Sequence, residues 1–295
     1  MPAGNMPGAE VDIDVRLVRA LIADQHPDLD GRDLVHVASG WDNAIFRLGE
    51  DLCARLPRRQ LAASLIDNEQ RWLPETAPRL PLPVPAPVRA GRPGRGFPWS
   101  WSVCPWFDGE VAAVRPPDDP LDAARRLGAF AAAMHSPAPV GAPANPYRAV
   151  PLATRSDSVR TRTEQLSDVV DVDAISGAWE RLVGTPDWAG PAMWLHGDLH
   201  PANVLVHEGA VRAVIDFGDL TAGDPAVDLA IAWMMFEPGA REVFRDASGE
   251  VDGNMWDRAR GWALALSLAY VASSADNPVM MRVGLDTLAS VLADE

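Results

Sequence analysis

The stretch that decides the fold of this chain is residues 194–206, WLHGDLHPANVLV, followed by residues 213–219, AVIDFGD. Residues 204–206 are apolar and predict a short strand, and the dipeptide at 208–209, Glu-Gly, is typical of a tight turn. Residues 211–215 then predict the return strand. The sequence therefore predicts a β-hairpin with a polar loop before its first strand and a polar residue after its second.

The hairpin brings two polar side chains to one side of a short ribbon. Asn203 begins its first strand and Asp216 follows its second, so an amide oxygen and a carboxylate converge where a hard cation could bind. Magnesium retains several waters and needs few protein ligands, so two suffice. Asp198 lies on the loop before the hairpin, where its carboxylate could accept the proton of a hydroxyl and aim it at a γ-phosphorus.

The spacing of these residues matches the catalytic loop and metal loop of kinases. Asp198 and Asn203 are separated by four residues, and Asp216 opens an Asp-Phe-Gly run. With His196, Gly197 and Gly218, six positions are fixed, and a chance match is on the order of one in 10⁷ per starting point. The run HGDLHPAN followed by IDFG resembles the aminoglycoside phosphotransferase family, whose superfamily includes macrolide phosphotransferases, choline kinases and type II homoserine kinases.

The resemblance implies an α+β, bilobal, protein-kinase-like fold with a small antiparallel-sheet lobe and a larger, mostly helical lobe. It implies a nucleotide-binding lobe at residues 1–105, and a lobe at 106–295 with the catalytic loop and acceptor site. By this resemblance Asp198 is the catalytic base, with Mg²⁺ as cofactor and ATP or GTP as co-substrate. The magnesium ligands are then Asn203 and Asp216, and the residues that brace the loop are His196 and Asp228. An acid in the first turn of a helix explains Asp228 equally well.

Hydrophobic periodicity supports this order of elements. The first hundred residues read as a helix, three short strands, a helix and a further strand, and the chain after residue 109 reads as mostly helical. The predicted helices are Asp12–Ala23, Arg59–Leu73, Asp122–Met134, Thr154–Val183, Pro225–Phe236, Trp256–Ala275 and Met280–Leu292, and residues 74–98 are predicted to hold only extended pieces and loops.

The nucleotide side departs from the usual kinase pattern. All 26 basic residues are arginine, so no lysine can bind the nucleotide phosphates. Arg55 on the third strand is the candidate, and Glu69 on the next helix is placed to pair with it. Some macrolide phosphotransferases have a similar R-[IL]-P-R-R segment, here residues 55–59. A surface arginine on an edge strand is the alternative.

Two further segments are candidates for contact with the nucleotide. Ser39 and Gly40 begin a turn where a phosphate-covering loop belongs, although an ordinary hairpin turn is equally compatible. Residues 103–109 resemble an interlobe hinge, where the Pro105 carbonyl and the Phe107 amide would read the purine edge. The aromatic residues there could equally be core.

Composition limits the classes of partner that the protein could bind. A net charge of −15 argues against nucleic acid or an anionic membrane and would suit a cationic small molecule, although acidity also serves solubility. Two distant cysteines, Cys53 and Cys104, exclude a disulfide framework. The first fifteen residues lack a signal-peptide pattern, and no apolar run reaches the ~18 residues of a membrane span. We expect a cytoplasmic monomer or weak homodimer.

The acceptor is less defined than the reaction. We expect a small-molecule hydroxyl acceptor that is either an antibiotic, which would make the protein a resistance kinase, or a metabolite. Four acids near the predicted site could bind a polyamine-like antibiotic, but solvated helix faces explain them as well. They are Asp219, Asp224, Glu237 and Asp257.

Two other functions fit parts of the same sequence. His196, Asp198 and His200 alternate like the ligands of a metal-dependent hydrolase, although Gly197 and Pro201 disfavour a regular strand there. A non-catalytic, pseudokinase-like nucleotide-binding module would account for the missing lysine.

Overall fold

The computed structural model describes residues 7–294, which divide into two compact units. The first comprises residues 7–79, 83–108 and 216–218. The second comprises residues 80–82, 109–215 and 219–294. The short run 216–218 groups with the first unit even though the chain on either side of it belongs to the second.

The first unit is built on an antiparallel sheet of five strands in the order β1-β2-β3-β5-β4. The strands alternate buried and exposed side chains only in part, because β2 and β3 lie inside the sheet and are covered on most of their length. Their bounds are β1 Leu34–Ser39, β2 Asn43–Leu48, β3 Leu52–Pro57, β4 Arg89–Gly91 and β5 Trp101–Pro105.

Two helices belong to this sheet unit. Helix α1 spans Val15–Gln25 and is capped by Asp14, whose carboxylate accepts the Leu17 N–H at 2.8 Å. Helix α2 spans Gln60–Thr76. A core of fully buried side chains fills this unit, among them Val18, Leu21, Phe46, Leu56 and Trp101.

The second unit contains the predicted hairpin. Strand β8 (Val204–His207) pairs antiparallel with β9 (Ala210–Val214), and the residues between them, Glu208 and Gly209, have φ of 51° and 77°. Both values lie in the left-handed region, as a tight type I′ hairpin turn requires. A short strand, β6 (Glu110–Val111), pairs with β8, and a separate ribbon pairs β7 (Met193–Leu195) with β10 (Thr221–Gly223).

Helices make up most of the second unit. The longest is α9, which is buried on nearly all sides in its middle section and packs against α10, α6, α5 and α4. Their bounds are α3 Pro120–Met134, α4 Ser156–Gln165, α5 Val172–Val183, α6 Ala226–Leu229, α7 Ile231–Met235, α8 Pro238–Ala247, α9 Gly253–Ser273 and α10 Pro278–Ala293.

Several predicted boundaries need correction. Helix α2 continues through Pro74 and ends at Thr76, so the proline lies in its last turn, where few helical residues follow it. The single helix predicted over 154–183 is two helices, and Asp171 caps the second by accepting the Ala174 N–H. The helix predicted over 225–236 is likewise two short helices.

Across residues 7–294, no helix is at once long enough and apolar enough to cross a bilayer.

Candidate active site

The loop that carries Asp198 is fixed by a buried carboxylate. It leaves β7 at His196, and Asp228 accepts two of its backbone N–H groups, from His196 at 2.8 Å and from Gly197 at 2.9 Å. Asp228 is only 1% exposed, so both of these charge-assisted hydrogen bonds are shielded from water. His135 lies 3.4 Å from the same carboxylate. Asp228 therefore braces the loop through its backbone.

The side chain of His196 is also used inside the loop. Its Nε2 lies 2.9 Å from the Ile215 carbonyl oxygen, and its Nδ1 accepts the Asp198 N–H at 3.2 Å. Both ring nitrogens are thus engaged by backbone groups. His196 consequently cannot join Asp198 and His200 in the hydrolase-type metal site considered above, and within residues 7–294 no group of three His, Cys, Asp or Glu side chains could hold a metal.

Gly197 is required by geometry. Its φ of +85° is strained for any residue with a side chain, and a Cβ there would lie 2.2 Å from the Asp219 carbonyl oxygen. This close approach lets the chain turn sharply before Asp198.

Asp198 lies between two basic side chains. Its Oδ1 accepts from Arg148 Nη2 at 3.2 Å, and its Oδ2 lies 3.3 Å from His200 Nε2. Burial by itself would raise the pKa of Asp198, but His200 and Arg148 outweigh burial and hold the pKa well below its usual value. The carboxylate is therefore ionised and able to accept a proton from a hydrogen-bonded hydroxyl.

Asn203 is oriented by the same loop. Its Nδ2 donates to the Asp198 carbonyl at 2.9 Å, which turns the oxygen of the side-chain amide away from that carbonyl. The Asn203 carbonyl accepts the N–H of Ile215 at 2.9 Å, so the residue that precedes Asp216 is paired with Asn203. The side-chain oxygen of Asn203 is thereby presented as an acceptor, which is the chemistry that a hard cation requires.

Asp216 has an unusual backbone. Its φ of 63° places a non-glycine residue in the left-handed region, and its carboxylate is 61% exposed. Within the first unit, its Oδ1 lies 3.8 Å from Arg55 Nη2. An exposed carboxylate held on a strained residue is a recurrent feature of functional sites.

Arg55 and Glu69 form a buried ion pair. Arg55 Nη1 contacts Glu69 Oε2, and Arg55 Nη2 donates to Oε1 at 3.2 Å, so the contact is bidentate. Both side chains are almost completely buried, at 7% and 0% exposure. Burial alone would lower the pKa of Arg55, but the Glu69 carboxylate raises it above its ordinary value and keeps the guanidinium charged.

The turn that begins at Ser39 and Gly40 is tied to the end of β3. Gly40 donates its N–H to the Asn43 carbonyl at 2.9 Å, and its own carbonyl accepts from Arg58 Nη1 at 2.8 Å. Arg59 contacts the carboxylate of Asp42 at 2.7 Å. Two of the three arginines of residues 55–59 therefore hold the turn, and only Arg55 pairs with Glu69.

The hinge-like segment follows β5. Pro105 is the last residue of that strand and stands opposite Leu52, and its carbonyl lies 3.8 Å from Cys53 Sγ. Phe107 follows two residues later and is half-buried.

The four acids considered for the acceptor are in different environments. The prediction that Asp224 contacts the acceptor needs correction. Asp224 is buried and its two oxygens lie 2.7 and 3.3 Å from Arg258 nitrogens, so its charge is already neutralised. Asp219 accepts from Asn145 Nδ2 at 2.6 Å. Glu237 lines a cleft of about 500 Å³ beside α7 and α10, and Asp257 lines a cavity of about 170 Å³ beside α5.

Three residues that contact Asp198 or its neighbours His200 and Asp219 were not anticipated from the sequence. Arg148 pairs with its carboxylate, the Tyr270 ring packs edge-on against His200 with centroids 5.4 Å apart, and Asn145 holds Asp219. None belongs to a motif, and an arginine in a proline-rich connector gives no signal in a chain with 26 arginines.

The architecture is that of a kinase-like fold. The match to the family described as "Phosphotransferase enzyme family" (APH) covers residues 33–262, and the chain belongs to this family. This confirms the resemblance deduced from residues 196–218.

Solved structures have the same fold. The chain is similar to aminoglycoside 2′-phosphotransferase-IIIa, solved as its GDP complex, with a TM-score of 0.68 and 19% identity over 96% of this chain and 99% of that chain. It is also similar to macrolide 2′-phosphotransferase MphH from Brachybacterium faecium, with a TM-score of 0.61 and 22% identity over 92% and 97% of the two chains. The predicted α+β kinase-like fold is thus confirmed.

A curated relative is the uncharacterized protein YcbJ of Bacillus subtilis (strain 168), with 26% identity over 165 residues. That match covers 53% of this chain and 51% of the relative, so the chain spans about half the length of the relative it matches.

Proposed function

We propose that this protein transfers the γ-phosphate of ATP or GTP to a hydroxyl of a small-molecule acceptor, with Asp198 as the catalytic base. The observation that carries the proposal is the environment of Asp198. Its carboxylate is kept ionised by Arg148 and His200, and its loop is braced by Asp228. Phosphoryl transfer needs positioning and charge neutralisation more than covalent participation by the protein, and a fixed anionic carboxylate supplies the positioning.

The proposed step conserves atoms and charge in a simple way. The acceptor hydroxyl donates a hydrogen bond to Asp198, and its oxygen forms a bond to the γ-phosphorus. The bond between the γ-phosphorus and the bridging β–γ oxygen breaks, and the nucleoside diphosphate leaves. The hydroxyl proton moves to Asp198 and is then lost to solvent.

Asn203 and Asp216 are the proposed magnesium ligands. The orientation of the Asn203 amide and the exposed carboxylate of Asp216 fit a cation that prefers oxygen ligands. Bound magnesium would neutralise charge on the nucleotide phosphates.

The remaining nucleotide contacts are assigned to residues 1–105, and residues 106–295 are assigned to the catalytic loop and the acceptor. Arg55, held by Glu69, takes the place of the usual phosphate-binding lysine. The other proposed contacts are the Ser39 and Gly40 backbone over the phosphates and the Pro105 carbonyl and Phe107 amide at the purine edge.

The acceptor is proposed to be a hydroxylated antibiotic or metabolite. Two similar structures support this class, because one is described as a kanamycin complex and another as a streptomycin–ATP complex. Asp219, Glu237 and Asp257 remain candidate acceptor contacts, whereas Asp224 is occupied by Arg258. We further propose that the protein acts in the cytoplasm as a monomer or weak homodimer.

The test is a nucleotide-consumption screen with Mg-ATP and Mg-GTP across aminoglycosides, macrolides, peptide antibiotics, amino alcohols and sugars. Asp198→Asn is expected to lower the turnover number about 10³-fold, because the general base is removed. Asp216→Ala should lower the turnover number at every magnesium concentration, because one of the two proposed magnesium ligands is lost. The matched control is Asp246→Asn, an exposed acid on α8, which should leave the rate unchanged. Normal turnover by Asp198→Asn would contradict the assignment.

A non-catalytic nucleotide-binding role is the second candidate, and the absence of lysine favours it. It predicts that Mg-ATP raises the melting temperature while no acceptor is consumed and slow hydrolysis does not depend on Asp198. The phosphotransferase proposal predicts the same rise in melting temperature, together with slow nucleotide hydrolysis that is lost in Asp198→Asn.

A further inference from the structure

Residues 143–149 of the connector between α3 and α4 are hydrogen-bonded to strand β10 and to the residue that follows it. Ala222 donates to the Pro143 carbonyl at 3.0 Å, Asn145 N–H donates to Thr221 Oγ1 at 2.9 Å, and Asp224 donates to the Ala149 carbonyl at 3.2 Å. The approach is close enough that a Cβ on Gly223 would lie 2.4 Å from the Ala149 oxygen. Residues 143–149 are therefore held against β10 by hydrogen bonds and close backbone packing.

Arg148 is the side chain that this connector directs to Asp198. The residue after it, Ala149, has a φ of 56°, so a non-glycine backbone is held in the left-handed region next to Arg148. Arg148 Nη2 contacts Asp198, but its Nε is buried and has no hydrogen-bond partner among the residues described. The hydroxyl of Tyr270 is also buried without a hydrogen-bond partner among these residues. Two buried donors near one carboxylate are thus left for a ligand to satisfy.

Two more arginines lie next to this group. Arg155 and Arg162 are seven residues apart across a continuous helical stretch, which places them on one face two turns apart. The Arg155 guanidinium lies 5.8 Å from the Tyr147 ring. Burial lowers the pKa of Arg162, and the charges of Arg155 and Arg148 lower it further, so the three cations repel one another.

The charges of Arg155 and Arg162 are not neutralised by the protein, whereas Arg148 is paired with Asp198. Within the part of the chain that the structure describes, neither Arg155 nor Arg162 has a carboxylate at ion-pair distance, whereas Arg160 on the same helix pairs with Asp157 at 2.6 Å. The chain has 41 acidic residues for 26 arginines, so unpaired arginines at one place are not a product of composition. Partly buried cations without counter-charges lower stability unless a ligand supplies the negative charge.

We propose that Arg148, Arg155 and Arg162 form an anion-binding site beside Asp198, and that the acceptor hydroxyl belongs to a molecule with a carboxylate or a phosphate ester. This inference rests on the proposed phosphotransferase function and narrows its substrate. Arginine binds both anions in a bidentate way, and the two unsatisfied donors add polar contacts. A polycationic aminoglycoside would meet like charge at this face, which disfavours it as the acceptor.

The test is isothermal titration calorimetry on the full chain saturated with magnesium and a non-hydrolysable ATP analogue. The probes are hydroxy carboxylates and sugar phosphates, each beside its uncharged parent alcohol. We expect at least one anionic class to bind at least tenfold more tightly than its parent, and the class that binds identifies the anion. Arg155→Gln and Arg162→Gln should each weaken that binding about tenfold, because one charge-assisted contact is lost.

Arg160→Gln is the matched control, since it removes an exposed arginine from the same helix and should change the binding less than twofold. Equal binding of anions and parent alcohols, or equal weakening by Arg160→Gln and Arg162→Gln, would overturn the proposal. The result is separable from the phosphotransferase assignment, because the binding needs no turnover. Failure of the assignment appears instead as nucleotide consumption that survives Asp198→Asn.

Discussion

The two units hold their proposed site residues by different means. In the first unit, Arg55 is held by a side chain, the buried carboxylate of Glu69. In the second, the loop before Asp198 is held through its backbone, because Asp228 accepts the N–H groups of His196 and Gly197. The first arrangement depends on two matched side chains. The second depends on one carboxylate and on two backbone N–H groups.

The difference explains which features depart from the kinase pattern. An ion pair tolerates a change of cation, so arginine can stand where lysine is usual, provided that the buried charge stays paired. The backbone contacts of the loop tolerate no such exchange. Gly197 must remain glycine because of its φ and its approach to Asp219, and the carboxylate of Asp228 must accept two donors at once.

The largest effect is expected from breaking the ion pair. Arg55→Met leaves Glu69 buried without a counter-charge and should lower the free energy of unfolding by about 3–5 kcal/mol. The double variant Arg55→Met/Glu69→Leu should recover most of that loss, because no charge then remains buried. Urea denaturation measures both, and Arg16→Met, at an exposed ion pair, serves as the control that should not change. If the double variant were as unstable as Arg55→Met, the unpaired Glu69 charge would not be the cause of the lost stability.

A smaller effect is expected from the loop brace. Asp228→Asn replaces one acceptor oxygen by an N–H₂ group facing a backbone donor, and should cost about 2–3 kcal/mol of stability. The turnover number should fall as well, since Asp198 loses its fixed position. Asp171→Asn is the control, because Asp171 accepts a single N–H at a helix start, where asparagine works equally well. Equal free energies of unfolding for Asp228→Asn and Asp171→Asn in urea would contradict the proposed support of the loop by Asp228.

The smallest effect concerns Cys53, which neighbours Arg55 on β3. Burial raises the pKa of Cys53 to about 11 and outweighs the charge of Arg55. An unfolded cysteine ionises at about pH 8.5, so the unfolded state binds fewer protons above that pH and the native state loses stability as the pH rises. Relative to Cys53→Ala, the wild type should lose about 1 kcal/mol between about pH 8 and about pH 9.5 in urea titrations under reducing conditions. Parallel pH curves for both proteins would contradict this.

Much of the fold was predictable because it depends on local patterns. Periodicity located the sheet region and the main helices, and the Glu208-Gly209 pair located the hairpin turn. Strands β6, β7 and β10 were not predicted, because they are two or three residues long and depend on distant pairing. The break between α4 and α5 was missed because helical periodicity continues across it.

The sequence alone determined the kinase-like loop, since Asp198, Asn203 and Asp216 occur at a spacing that chance rarely produces, and the family match confirms the resemblance. It also determined that any phosphate-binding cation must be an arginine. Only the tertiary structure decided that Arg148 lies beside Asp198 and that Asp224 is already paired with Arg258. Such contacts join residues about 34 to 50 positions apart, and no local preference encodes them, because a charged side chain finds its partner only when packing has brought both together.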